Sequence, residues 1–178
     1  MSVKPEQSVR SAGGFVFAMQ RQQQSQWCWA ATSVSVDAFY NPASGWIQCL
    51  LVDDIFGTTT CCANGSTAAC NRPWYLNLGL AHVGRFARGE AGPAPVNPTV
   101  AREIDARRPV AAKIDWSGGG GHFPVITGYS DLIVGEPPIF EQYLTVEDPA
   151  YGFSAVSYDS FRTRYQGSGT WTFTFFTR

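Results

Sequence analysis

Residues 110–129 read VAAKIDWSGGGGHFPVITGY, and this stretch decides the fold class. Val110, Ala112, Ile114 and Trp116 fall on one side of an extended chain, with Lys113 and Asp115 on the other, which is the period of a strand. The glycine run 118–121 lets the backbone turn sharply before His122. HFPVITGY then resumes as a strand, with His122 on the face of Ile126. The same alternation recurs downstream. In YLTVED (143–148) Leu144, Val146 and Asp148 share a face, and in TWTFTFF (170–176) Trp171, Phe173 and Phe175 stand opposite Thr170, Thr172 and Thr174.

Upstream the period changes from two to that of a helix. Ala31, Val34 and Ala38 form a buried stripe in a helix expected over Trp27–Tyr40, capped by Ser25 and stopped by Asn41-Pro42. Further helices are expected over Ile47–Phe56, ending at Gly57; from Asn71, with Pro73 in the first turn; and over Thr99–Arg107, with Asn97 as cap. Helices followed by strands predict an α+β domain, with roughly three to five antiparallel strands packed against helices. Residues 88–98 (RGEAGPAPVNP) read as a Pro/Gly-rich connector. Residues 1–14 are polar, end in Gly13-Gly14, and read as a flexible arm before a single domain over 15–178.

The chain has 178 residues, enough for one core without help from metals or oligomers. Its net charge of −1 comes from 13 basic and 14 acidic residues and leaves no long-range field to attract nucleic acid or an anionic membrane. No apolar run reaches the ~18–20 residues of a membrane span. The N-terminus has no signal-peptide profile, because Phe15–Met19 is too short for an h-region. The expectation is a monomer that is secreted or injected by a signal-independent route, with a cytoplasmic location in the producing cell as the alternative.

Five cysteines are present, an odd number that predicts two bridges and one free thiol. Cys49, Cys61, Cys62 and Cys70 cluster within 22 residues, and Cys28 stands apart. A vicinal Cys61–Cys62 bridge is strained. That leaves Cys49–Cys61 with Cys62–Cys70, or Cys49–Cys62 with Cys61–Cys70. Structural zinc is disfavoured because no C-x-x-C pair is present.

Cys28, in QSQWCWAA, opens the first expected helix. A helix start offers unpaired N–H groups and the positive end of the helix dipole, which favour a thiolate, the nucleophilic form of cysteine. Such a nucleophile needs a base. There are two histidines. His122 follows the glycine run and opens a strand, whereas His82, in LAHVGRF, reads as a helix-end residue. Asp148 falls on an apolar strand face before Pro149, and a carboxylate there needs a partner, which an imidazolium would supply. Glu147 points the other way.

WCWAA around Cys28, GGGGHFPVITGY around His122 and LTVEDPAYG around Asp148 together resemble the papain-like cysteine peptidases. The likeness is to two bacterial branches: plant-pathogen effector and staphopain-type proteases, and peptidases that cleave bacteriocin leaders after double glycine. It runs in motif order over roughly residues 15–177. It implies a papain-like fold with the nucleophile at the start of the central helix. It also implies acyl transfer through Cys28, His122 and Asp148 without a metal or organic cofactor. In that family a glutamine six residues before the nucleophile donates to the oxyanion, which here is Gln22. The expected partners are a protein or peptide substrate and a cognate inhibitor or immunity protein of an effector or toxin. An amidase, deamidase or transacylase using the same residues, and a non-catalytic binding module, are the competing readings. Gly13-Gly14 also resembles a double-glycine cleavage site, so self-trimming after Gly14 is a further expectation.

Overall fold

The computed structural model describes residues 7–135 and 137–178. In chain order the elements are β1 (Gln7–Gly14), α1 (Cys28–Tyr40), α2 (Gln48–Phe56), α3 (Leu76–His82), β2 (Phe86–Ala91), α4 (Ala101–Asp105), β3 (Val110–Trp116), β4 (Gly121–His122), β5 (Val125–Val134), β6 (Ile139–Asp148), β7 (Gly152–Ser157), α5 (Tyr158–Arg164) and β8 (Gly169–Thr177). The mixture of helices with an antiparallel sheet agrees with the α+β expectation. Among the described residues the sheet has eight strands in the order β2-β8-β3-β5-β6-β7, with β1 beside β5 and β4 beside β3.

The core lies on both faces of this sheet. Ala111, Val125 and Phe175 pack with α1, α2 and α3 on one side. Val110, Ala112, Ile114, Ile126, Leu144 and Val146 pack on the other, with Ile104 of α4 and Phe161 of α5. The alternation read in 110–116 and 143–148 thus separates a buried face, Val110, Ala112 and Ile114 in one strand and Leu144, Val146 and Asp148 in the other, from a face that is half-open at Lys113, Asp115, Tyr143, Thr145 and Glu147.

The helix α1 is not a one-sided amphipathic helix. Residues Cys28 to Asp37 are all buried, so the stripe of Ala31, Val34 and Ala38 understates its environment. Two of its buried hydroxyls are satisfied within the helix: Ser33 Oγ donates to the Trp29 carbonyl (2.8 Å) and Ser35 Oγ to the Ala31 carbonyl (2.6 Å). Asp37 is neutralised by Arg85 at 2.7 Å and accepts from Ser44.

Several expectations are corrected. Gln7–Gly14 is not a flexible arm but a strand, paired from Gln7↔Val134 to Gly14↔Gly128; the rest of that expected arm, residues 1–6, lies outside the described residues. The double glycine there has a packing role. A Cβ on Gly13 would come within 2.6 Å of Asp105 Oδ1 and 2.7 Å of Tyr129 Cε1. The α1 cap is Trp27, not Ser25, and no side chain caps the helix. The helix expected from Asn71 starts at Leu76, and the one expected from Thr99 starts at Ala101 after an irregular turn over Val96–Val100. Asn97 does not cap it; its Nδ2 donates to Asp131 at 2.5 Å. The first four residues of the expected connector, 88–91, belong to strand β2 at a sheet edge.

Two strand readings also change. The 122–129 strand breaks at Phe123-Pro124, giving β4 and β5, because proline has no N–H for the ladder. In β8 the register jumps from Lys113↔Phe173 to Ile114↔Trp171. This bulge flips Trp171 onto the second layer, while Phe173 and Phe175 stay on the first.

Candidate active site

The start of α1, the β3–β4 turn and the end of β6 deliver the three residues singled out by chemistry. Cys28 is the first residue of α1, is buried, and is the free cysteine. The other four pair as Cys49–Cys62 and Cys61–Cys70, which resolves the two pairings left open by the sequence.

The β3–β4 turn is where glycine is required. Gly119 and Gly120 have φ of 91° and 85°, a region L side chains rarely adopt. Their backbone closes the turn: Gly119 N donates to the Trp116 carbonyl at 2.9 Å and Trp116 N to the Gly120 carbonyl at 3.1 Å. His122 then pairs with Ile114 and stacks on Trp116 with ring centroids 5.8 Å apart, while Tyr151 meets the same ring edge-on at 5.8 Å.

His122 Nε2 and Asp148 Oδ1 are 2.8 Å apart, with both side chains almost wholly buried. Asp148 also opens a turn: Oδ1 accepts from the N–H groups of Ala150 (2.7 Å) and Tyr151 (2.9 Å). Oδ2 accepts from the Tyr165 hydroxyl at 2.9 Å. With Nε2 committed to Asp148, Nδ1 is the ring nitrogen left for Cys28.

Burial pushes the His122 pKa down, but hydrogen bonding to Asp148 and to Cys28, and their charges, overcome this and raise it to about 9. Burial likewise pushes the Asp148 carboxyl up, and the bonds from His122 and the two backbone N–H groups hold it below the ordinary carboxylate range. The imidazole therefore carries its proton across the neutral range.

Two hydrogen bonds tie the halves of the site together. Thr32 lies one helical turn beyond Cys28, and its Oγ1 donates to the Phe123 carbonyl at 2.5 Å, fixing α1 to the residue after His122. Gln22 N donates to the Pro149 carbonyl at 2.9 Å, fixing the glutamine segment to the Asp148 turn. The Gln22 side chain turns back onto its own segment: Nε2 donates to the carbonyls of Gln24 and Ser25, both at 3.1 Å. Its Oε1 is buried without a partner.

Sequence reasoning missed three supporting residues. Gln48 is buried in α2; its Oε1 accepts from Gln23 N (2.9 Å) and its Nε2 donates to the Arg21 carbonyl (2.9 Å), clamping the Gln22 segment. Trp116 and Tyr165 support His122 and Asp148. Nothing local in the sequence marks these residues, because each acts through partners that only the fold brings close. His82, by contrast, ends α3, bonded to Asp54 at 2.6 Å and packed edge-on against Trp46. Among the described residues no group of His, Cys, Asp or Glu is arranged to hold a metal ion.

No curated protein matches the chain. A family model does: the one described as "Papain-like cysteine protease AvrRpt2" aligns with residues 13–166, from the end of β1 through the residue after Tyr165. That span contains the helix-start cysteine, the histidine–aspartate pair and the glutamine segment. By this match, the chain belongs to the papain-like cysteine protease family and is a hydrolase.

Proposed function

We propose that the chain hydrolyses peptide bonds of a protein substrate through Cys28, His122 and Asp148. The observation that carries the reading is the buried His122–Asp148 bond beside Cys28, with the His122 pKa raised to about 9. A protonated imidazole next to the thiol favours the thiolate. Sγ of Cys28 attacks the scissile carbonyl carbon, and the carbonyl electrons move to oxygen. The N–H of Cys28 and the Gln22 amide receive that oxyanion, one of the two Gln22 bonds to backbone carbonyls being exchanged for it. His122 gives its Nδ1 proton to the leaving amine, and a thioester remains. The neutral imidazole then takes a proton from water, whose oxygen attacks the thioester and frees the acid and Cys28. Asp148 holds the ring and its tautomer throughout.

A cavity of about 370 Å³ supports an apolar side chain as the specificity element. Its lining includes Phe123, next in sequence to His122, together with Phe86, Phe173 and Phe175, and Lys113 at its wall. The two disulfides support action in an oxidising setting, as for an effector or toxin released from the cell that makes it.

The test is iodoacetamide labelling across pH 4–9, read by peptide mass spectrometry, with dye-labelled casein as a substrate. Selective alkylation of Cys28 near pH 6, lost together with casein cleavage in His122→Ala, is expected. A Cys28 that reacts equally in both proteins would overturn the reading.

A further inference from the structure

We propose that Tyr165 is a positioning residue of this protease, its hydroxyl locking the Asp148 carboxylate so that Oδ1 stays aimed at His122. The proposal rests on the Cys28–His122–Asp148 reading above. A carboxylate has two oxygens and can turn about its Cβ–Cγ bond. Oδ1 takes the His122 bond and two backbone N–H groups, so the ring is well aligned only while Oδ2 is held too. Tyr165 supplies that hold at 2.9 Å, and both residues are buried, at 2% and 1% exposure, so no bulk water competes. A hydrogen bond to a buried ionised group is among the stronger ones, because the alternative is an unsolvated charge.

The phenol is itself held firmly. Its ring packs edge-on against Phe161 at 4.9 Å. Its backbone closes a tight loop with Gly169, N to O at 2.8 Å in both directions. Gln166 and Gly167 in that loop have φ of 49° and 89°. Gly169 is required: a Cβ there would fall 2.4 Å from Ile114 and 2.7 Å from Trp116. The loop thus lets Trp116 close over His122 while its first residue, Tyr165, grips Asp148. Burial and the adjacent Asp148 charge both raise the Tyr165 pKa, so the phenol remains a donor over the working range.

The titratable groups facing His122 are Cys28 from α1, Asp148 from β6 and Tyr151 from the turn after it. Of these, Asp148 is the one Tyr165 touches. Loosening that carboxylate weakens the leading influence that raises the histidine pKa and leaves burial, which lowers it, less opposed.

The experiment is Tyr165→Phe, with 3-fluorotyrosine at the same position as the conservative replacement that keeps the donor. The chain has two histidines, so the His122 ring can be followed by NMR in histidine-labelled protein across pH 5–11. The expected result is a His122 midpoint lowered by about one pH unit and a kcat on casein lowered about tenfold to a hundredfold. KM and cooperative unfolding stay close to wild type, and 3-fluorotyrosine restores both readouts. A His122 midpoint that is unmoved or raised would overturn the proposal, as would equal losses in both variants. A phenylalanine variant that did not fold would overturn it too, since the hydroxyl would then be structural. If Cys28→Ala or His122→Ala still cleaved casein, the underlying triad would fail instead, whatever the Tyr165 variants did.

Discussion

Cys28 is held by loops and crosslinks, whereas His122 and Asp148 are held by a sheet. On the first side the indole N–H of Trp27 donates to the Cys70 carbonyl at 2.9 Å and that of Trp29 to the Arg72 carbonyl at 3.2 Å. Asn71 bridges to Gln26 N and Ser25 Oγ, both at 2.9 Å. These stitches end on a loop with little regular structure, ordered by Cys49–Cys62 and Cys61–Cys70 and by Asp53, which accepts from Cys61 N at 2.9 Å. On the second side the ladder from β3 to β6 sets the positions, for example Ile114↔His122 and Ile126↔Val146. A sheet repeats its contacts along its length, while a loop must recover its ordering entropy from few contacts. Covalent crosslinks are concentrated on the side that lacks a ladder.

The sharpest challenge to this division is to take one member from each side. Cys28→Ala and His122→Ala are each expected to lower casein turnover by about 10⁴-fold or more, and the double variant by no more than either alone, because such residues act as a unit. Additive losses would mean that the two sides work separately. Gln22→Ala, which removes the proposed oxyanion donor, is expected to cost about 10²–10³ in kcat with KM little changed. A rise in KM alone would make Gln22 a substrate contact instead.

Removing Cys61–Cys70 as Cys61→Ser/Cys70→Ser tests the loop side by itself. The expected loss is about 2–4 kcal/mol in unfolding free energy, with faster proteolysis in the 57–75 loop. Selectivity of Cys28 for iodoacetamide should fall, while the His122 ring signals retain their environment. Equal disturbance on both sides would show that the sheet depends on the crosslinks as well.

The same division explains what was legible in the sequence. Residues 110–116 and 143–148 alternate because one face of each strand is buried in the core while the other stays partly open, and that pattern survives without knowledge of partners. The bulge that separates Trp171 from Phe173 is invisible, because it depends on how β8 meets β3. β1, β2 and β7 lacked a clear alternation: β2 reads FARGEA, exposed almost throughout. At the site, Cys28, His122 and Asp148 stood out because their chemistry is uncommon in those settings. Gln48, Trp116 and Tyr165 act only through tertiary neighbours, such as Tyr165 reaching back 17 residues to Asp148, and nothing local announces them.

The smallest expected effect is on stability against pH, and its sign is fixed by the two buried partners on the sheet side. His122 has a folded pKa of about 9 against an ordinary 6.5, so its contribution is complete below about 6.5 and is lost as pH rises through about 9. Asp148 has a lowered folded pKa, so its contribution is present above about 3.8 and is lost as pH falls through that lower value. The pair therefore contributes most between about pH 4 and 6.5 and fades toward pH 10. Thermal midpoints measured from pH 5 to 10 should decline more steeply in wild type than in His122→Ala over the upper half of that range. Parallel curves would mean that the sheet places the pair without gaining stability from it. The His122–Asp148 bond would then be there for catalysis alone, on the side of the site that needs no extra support to fold.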